Sequence, residues 1–467
     1  MKSKRVLLWL AAIGFFMETL DSTIVNTALP TMAHSLGESP TRMQSVIIAY
    51  SLTLAILIPA TGWLADRFGT RKVYLAAISI FSLGSLLCAL SHNLLQLTLA
   101  RVLQGLGGSM LMPVGRLAVL NAFPGESFLE AISFVTIPAL IGPLIGPTLG
   151  GWLVEYISWH WIFLINIPIG ILGCIATYYV MPDHLSARRA SFDIGGFFLL
   201  ALSMVSISLA LDGLADLEFA GATATLLIIF GLACLSAYWL KAAQKTHPLF
   251  SPKVFEVDTF RTGLLGNLFA RTGSGGMPFL IPLYLQLGLD YSPFNAGMTM
   301  IPVAFAAILA KRFARPIINR MGYRSFLVTN TVLVGVGIAS FTFVSLAEPP
   351  FVRIIQLFAF GFVNSLQFTA MNSLALKDLG PERASSGNTL FSMVQMLGMS
   401  FAVAISAVIL RIFMERFHVQ VNQAELSRAF HFTFICMGAI TCFSATIFMQ
   451  LAPFTRLSPK TLPTVEG

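Results

Sequence analysis

Residues 62–72 read GWLADRFGTRK, and residues 315–325 read RPIINRMGYRS. Arg67, Gly69 and Arg71 of the first stretch recur as Arg320, Gly322 and Arg324 of the second, and Asp66 becomes Asn319, at an offset of 253 positions. One apolar segment later, Arg101 and Gln104 recur as Arg353 and Gln356, at an offset of 252. Two matches at nearly one offset point to a duplicated unit. A parallel duplication requires both copies to run in the same direction.

The sequence around both copies is apolar. The chain of 467 residues is 56% hydrophobic and 11% charged, against roughly 25% charged in ordinary soluble domains. So few charges cannot cover a soluble protein of this length. The composition excludes a soluble enzyme, a disordered chain and a nucleic-acid binder, and it demands a bilayer as solvent. A helix that crosses a bilayer needs about 20 predominantly apolar residues. Fourteen segments qualify: 6–29, 43–64, 73–91, 94–120, 128–153, 161–181, 193–211, 220–240, 260–286, 293–310, 326–346, 350–376, 384–411 and 429–452. The first follows Lys2, Lys4 and Arg5, but its length and its Glu18 and Asp21 predict a retained helix rather than a cleaved leader.

Fourteen spans put both termini on one side. With that side cytoplasmic, 22 of the 29 Lys and Arg fall in cytoplasmic segments and five outside, as the positive-inside bias requires. The loop after span seven carries Asp212, Asp216 and Glu218 and reads as external. The expectation is an all-α membrane protein with 14 transmembrane helices. Two six-helix bundles, 1–181 and 260–452, are related by a pseudo-twofold axis. Two extra spans lie in 182–259, and a cytoplasmic tail fills 453–467. Transporters commonly carry such repeats, with the substrate site near the midplane between them.

A charge in hydrocarbon costs at least ~2.5 kcal/mol on insertion scales, so such residues usually serve a function. Four qualify: Glu18 and Asp21 in span one, Arg101 in span four and Arg271 in span nine. Glu18 and Asp21, three apart, share a helix face. Two carboxylates this close in a low dielectric suit reversible protonation. A structural ion pair with a buried arginine is the plainer reading, and a pair that breaks on protonation would be a switch. At the repeat offset Glu18 maps onto Arg271, which predicts opposite charges at one depth. The candidate cavity residues are Asp21, Asn26, Gln104, Arg271 and Arg353. In span five, Gly142, Gly146 and Gly150 fall on one face and allow close helix approach. Pro143 and Pro147 favour a bend there.

The other motifs are mainly exclusions. No Gly-Lys dipeptide exists, so no phosphate-binding loop of the ATPase type does either. The seven histidines fall in loops or at helix ends, and the five cysteines form no metal-binding or disulfide pattern. Nothing pairs a nucleophile with a base, and an enzyme is not expected.

These residues together resemble the major facilitator superfamily, and within it the 14-span drug:proton antiporters. GWLADRFGTRK looks like the first signature of that family at Gly62, Leu64, Ala65, Asp66, Arg67, Gly69, Arg71 and Lys72. LARVLQGLGG (99–108) resembles its span-four signature through Arg101, Gln104 and Gly105, and Gly142, Gly146, Pro147, Gly150 and Gly151 fit the span-five antiporter signature. LDSTIVNTALP (20–30) and SWHWIFLINIPIG (158–170) are similar to motifs of the 14-span group, although His160 stands where the family more often has arginine. The resemblance implies that Asp21 carries the proton, with Glu18 beside it, and that Arg101 pairs with a carboxylate. It implies that Asp66, Arg67, Gly69 and Arg71, with Arg320 and Arg324 in the second copy, form a cytoplasmic latch, and that the span-five glycines form a hinge or sliding contact. The expected function is proton-coupled efflux of small, lipophilic or drug-like molecules across the bacterial inner membrane. It would be driven by the proton gradient, with no ATP, cofactor, metal or nucleic acid, by a monomer whose partners are substrate and lipid. Two rivals stand beside it: a dedicated exporter of an endogenous metabolite or organic anion held by Arg101, Arg271 or Arg353, and a membrane sensor or assembly subunit without a transport cycle.

Overall fold

The computed structural model describes residues 2–452, apart from 124–125, 184–191, 217–220, 246–247, 345–348, 380 and 418–422. The expected tail 453–467 and most of the loop after span six therefore lie outside the described residues. Among the described residues the regular structure is helical, without strands. A chain surrounded by hydrocarbon must satisfy its backbone groups within each segment, and the helix does that. The first set of helices is α1 (Lys2–Ile24), α2 (Leu29–Leu36), α3 (Gln44–Phe68), α4 (Thr70–Ala89), α5 (Leu94–Ala122), α6 (Glu126–Tyr156), α7 (Trp161–Leu164) and α8 (Asn166–Val180). Then come α9 (Ile194–Asp216) and α10 (Gly221–Gln244). The second set is α11 (Asp258–Ser274), α12 (Met277–Leu287), α13 (Pro293–Thr299), α14 (Ile301–Met321), α15 (Tyr323–Ser340), α16 (Pro350–Lys377), α17 (Pro381–Arg416) and α18 (Gln423–Phe448).

Among the described residues, eleven helices are long and apolar enough to cross a membrane by length and composition. The other three expected spans coincide with α5, α6 and the pair α11–α12. Span nine is not one helix. It breaks at Gly275 and Gly276, where two glycines are followed by Pro278, which lacks the N–H needed to continue the ladder. Span one also bends, through a 3-10 turn at Val25–Thr27 just before Pro30. The stretches 62–72 and 315–325 are mostly helix rather than loop. The chain turns only at Gly69 (φ 90°, ψ 144°) and at Gly322 (φ 76°, ψ 158°). Both sit in a backbone region open mainly to glycine, so the repeated glycine is a repeated turn.

The pairings within the two sets correspond. α1 packs on α6 as α11 packs on α17, α3 on α5 as α14 on α16, and α4 on α5 and α8 as α15 on α16 and α18. The side-chain bonds repeat too: Gln104 Nε2 donates to Ser85 Oγ at 2.7 Å, and Gln356 Nε2 donates to Ser340 Oγ at 2.8 Å. The sets meet along α3–α17 and along α6 with α13 and α14, and α9 lies against both α3 and α17. At the end of the bundle far from the chain termini, both sets share one apolar cluster, in which Leu20, Ile24 and Met32 join Leu280, Tyr284 and Phe434. Toward the terminal end they bury separate clusters, one around Leu10, Tyr74 and Val114 and one around Tyr323, Leu374 and Phe448. There they stay joined on the seam that carries α9. At that end Asp193, just before α9, accepts hydrogen bonds from Lys245 Nζ and from the N–H groups of Gly196 and Leu249. Burial alone would raise its pKa, but those partners outweigh burial and hold Asp193 below the ordinary carboxylate value.

Candidate functional site

The glycines of α6 set the rotation of α1. A Cβ on Gly142 would stand 2.8 Å from Leu20 N, one on Gly146 3.1 Å from Thr23 Cβ, and one on Gly150 2.7 Å from Thr27 Oγ1. Only a helix without side chains on that face admits α1 so closely. Thr19, Thr23 and Thr27 therefore face α6, and the opposite side of α1 carries Glu18 and Asp21 toward α5.

Asp21 meets a complete set of donors. Arg101 Nη1 donates to its Oδ2 at 2.6 Å, and Gln104 Nε2 and Asn166 Nδ2 donate to its Oδ1 at 2.8 and 3.2 Å. Arg101 also donates from Nε to Val46 O and from Nη1 to Gln104 Oε1, and its guanidinium lies 4.1 Å from the centre of the Tyr50 ring. Asp21 and Arg101 are each only 1% exposed. A buried charge is tolerable only when paired and hydrogen-bonded in this way. Asp21 and Gln104 are thus enclosed within the first set rather than facing the space between the sets. Asn26 is likewise buried, in the 3-10 turn. Asn166, Ser85 and Tyr50 went unmarked by the sequence reasoning. A lone asparagine in an apolar span was the available signal for the first.

Glu18 is also buried, and among the described residues its Oε2 meets no hydrogen-bond partner, as is true of Tyr50 Oη. Phe15 rests against Gly115, which fixes the register of the antiparallel α1 and α5. Counting along both helices sets Glu18 level with Met112. Tyr50 Oη lies against Gly108, about 6 Å or one turn away.

The other candidates lie apart. Arg271, half-buried, donates from Nε to Asn267 Oδ1 at 2.9 Å and sits 4.4 Å from the Phe368 ring centre. No ion pair joins it to Glu18 among the described residues. Arg353 is at the far end, donating to the Tyr291 hydroxyl beside a cleft of about 500 Å³ shared with Asn295 and Met298. It does not reach the midplane. Asp66, Arg67 and Arg320 are exposed and Arg71 and Arg324 half-exposed. Arg67 lies over Trp63 and Arg71 over Tyr178. None of these five forms an ion pair among the described residues. His160 is held below its ordinary pKa by burial and by His92, and bonds to Ser158 Oγ at 2.6 Å.

Gly151 faces the second set rather than α1. A Cβ there would lie 2.7 Å from the carbonyl carbon of Pro293, and one on Gly297 would lie 2.8 Å from that of Pro147. The two contacts are reciprocal and bring α6 and α13 together backbone to backbone. Glu155 Oε2 accepts the Phe294 N–H at 3.0 Å, and Gln286 Nε2 donates to Thr27 O at 2.9 Å. Gly297 and Gln286 were not expected at this contact.

The family model described as Major Facilitator Superfamily matches residues 11–403. A protein of Pectobacterium carotovorum subsp. carotovorum (strain PC1), called "Putative multidrug resistance protein MdtD", is 47% identical over 461 residues, 99% of this chain and 98% of the relative. Its namesake in Yersinia enterocolitica serotype O:8 is 47% identical over 447 residues, 96% of this chain and 95% of the relative. Among solved structures, an autoinhibited peptide transporter of the POT family superposes with TM-score 0.74 at 17% identity, covering 99% of both chains. A D-xylose-proton symporter gives TM-score 0.68 at 13% identity, covering 97% of this chain and 99% of its own. At such identities the likeness concerns fold alone. With its helices paired twice over, a buried ion pair inside the first set and relatives matched over nearly its full length, this multi-pass membrane protein is a transporter, not an enzyme, and belongs to the Major Facilitator Superfamily.

Proposed function

We propose that the protein exports small, lipophilic or drug-like molecules in exchange for protons, by alternating access between two six-helix bundles, 1–181 and 260–452, joined by two spans in 182–259. In this reading the chain crosses the bacterial inner membrane fourteen times as a monomer, with both termini cytoplasmic. The proton gradient drives it, without ATP or cofactor. The carrying observation is the enclosed Asp21–Arg101 pair. A proton on Asp21 removes one charge of that pair and frees Arg101 Nη1, so protonation changes how α1, α5 and α8 hold one another. An exchanger needs its ligands to bind its two states differently. The pair gives the proton such a difference, because it exists in full only in the deprotonated state. The joined far end and the parted terminal end fit a conformation open to the cytoplasm, where cargo would load. The names of the MdtD relatives agree with efflux.

The test is flux in proteoliposomes with an imposed pH gradient. Gradient-driven transport of a lipophilic dye should vanish in the Asp21→Asn, Glu18→Gln variant while dye exchange without a gradient persists. Full gradient-driven transport by that variant would refute the coupling.

A further inference from the structure

Arg271 stands near the middle of the broken span α11–α12, at the depth where an uncompensated charge is least tolerated. Arg101, the other mid-span arginine, spends its charge on Asp21. Among the described residues Arg271 has no such partner: its one hydrogen bond goes from Nε to the neutral Asn267, and its one ring contact is with Phe368. The long apolar stretches of its own bundle supply no counter-charge: 259–289, 291–347, 349–377, 383–414 and 426–452 contain no Asp or Glu, and the six acidic residues of the bundle stand between them.

Among the described residues no hydrogen bond engages the outer nitrogens of Arg271. From α17, Gly398 faces its stem: a Cβ there would stand 3.3 Å from Arg271 Cβ and 3.7 Å from its Cδ. One turn along α17, on the same face, is Gln395. One turn along α16 from Phe368 is Asn364. Both amides are half-buried, and among the described residues neither side chain forms a hydrogen bond. The opposite side of α11 is occupied by α18, where Gly273 packs on Thr441. Arg271 therefore faces α16 and α17, and α17 is the helix that meets α3 of the other bundle.

A guanidinium fork, two amides without partners and a phenyl ring, with no carboxylate among them, form a receptor for an anion on an apolar body. Arginine binds planar carboxylates through two parallel N–H donors. We propose that Arg271, with Asn364 and Gln395, receives the acidic group of the cargo, and that this transporter carries amphiphilic organic anions, carboxylates above all, with the apolar body along Phe368. This deepens the export reading and rests on it only for the direction of transport. An anion leaving while protons enter also moves net positive charge inward, so export of such a cargo is assisted by an inside-negative potential.

Three probes of one shape separate the possibilities: 1-naphthoate, neutral 1-naphthamide and cationic 1-naphthylmethylammonium. Their binding is measured by calorimetry on the full chain in phosphatidylcholine nanodiscs. Naphthoate should bind at least about tenfold more tightly than either of the others, and Arg271→Gln should abolish that preference, with Arg271→Lys keeping part of it. The paired variant Asn364→Ala, Gln395→Ala should weaken naphthoate by a few-fold and leave naphthamide unchanged, which tests the site without touching the arginine. Equal binding of the three probes, no binding of any, or naphthoate affinity unchanged in Arg271→Gln would overturn the proposal. So would a Glu18→Arg, Arg271→Glu exchange that keeps naphthoate preference, because Arg271 would then be only a partner for Glu18. If naphthoate binding depends on Arg271 but no pH gradient moves it, the site stands and the antiport reading falls.

Discussion

Asp21 and Arg101 hold each other in place only while both are charged. Removing one partner of a buried pair leaves the other charge unpaired, which costs about 3–5 kcal/mol, whereas removing both is far milder. Asp21→Asn and Arg101→Gln should therefore each lower the thermal unfolding midpoint in detergent by several degrees. The double variant should recover most of that loss while remaining unable to couple transport to protons. If the double variant is as unstable as the worse single variant, the pair is not what stabilises this region. Both charges were legible in the sequence because their cost in hydrocarbon is high. Their setting was not. Helical spacing shows that Glu18 and Asp21 share a face, but it does not tell whether the face meets α5 or the space between the bundles. The same gap hid Asn166, which α8 brings to Asp21, and Ser85, which α4 brings to Gln104 and Asn166.

At the scale of elements, the glycines divide into two contacts on one helix. Gly142, Gly146 and Gly150 admit α1, and Gly151 admits α13. The spacing revealed the stripe, but a stripe on one helix does not name its partner, and Gly297, the other half of the α6–α13 contact, carries no motif of its own. Because the atoms a new Cβ would meet are backbone, they cannot swing aside as a side chain would. Gly297→Ala should force α13 away from Pro147 and Thr148 and loosen the far-end closure. A cysteine at Gln286 should then react faster with a membrane-impermeant maleimide than in the parent. Unchanged labelling would show that the closure does not depend on this contact. The recurrence of glycine at Gly69 and Gly322 was legible at the repeat offset, but that each is the turn between two helices is shown by the positive φ of the backbone.

For the whole molecule, composition alone required a helical membrane protein, and the repeat required two similar sets of helices. Their mutual placement follows from contacts among distant segments that no single sequence discloses, such as the seating of α9 against α3 and α17. The fourteen-span topology makes a direct prediction. On intact cells, cysteines placed at Ser39 and Gly221 should react with an impermeant maleimide, and one at Asp66 should react only after permeabilisation. Labelling of Asp66 from outside would invert the topology, and failure at Gly221 would remove the crossing between α9 and α10. The position of α9 has a further consequence. It boards up one of the two slits through which the space between the bundles could exchange molecules sideways with the lipid. Among the described residues no helix covers the slit between α6 and α14 in this way. A cargo already dissolved in the inner leaflet thus has one side door rather than two, and bulky residues lining the α6–α14 slit should select among lipid-borne molecules before any reach Arg271.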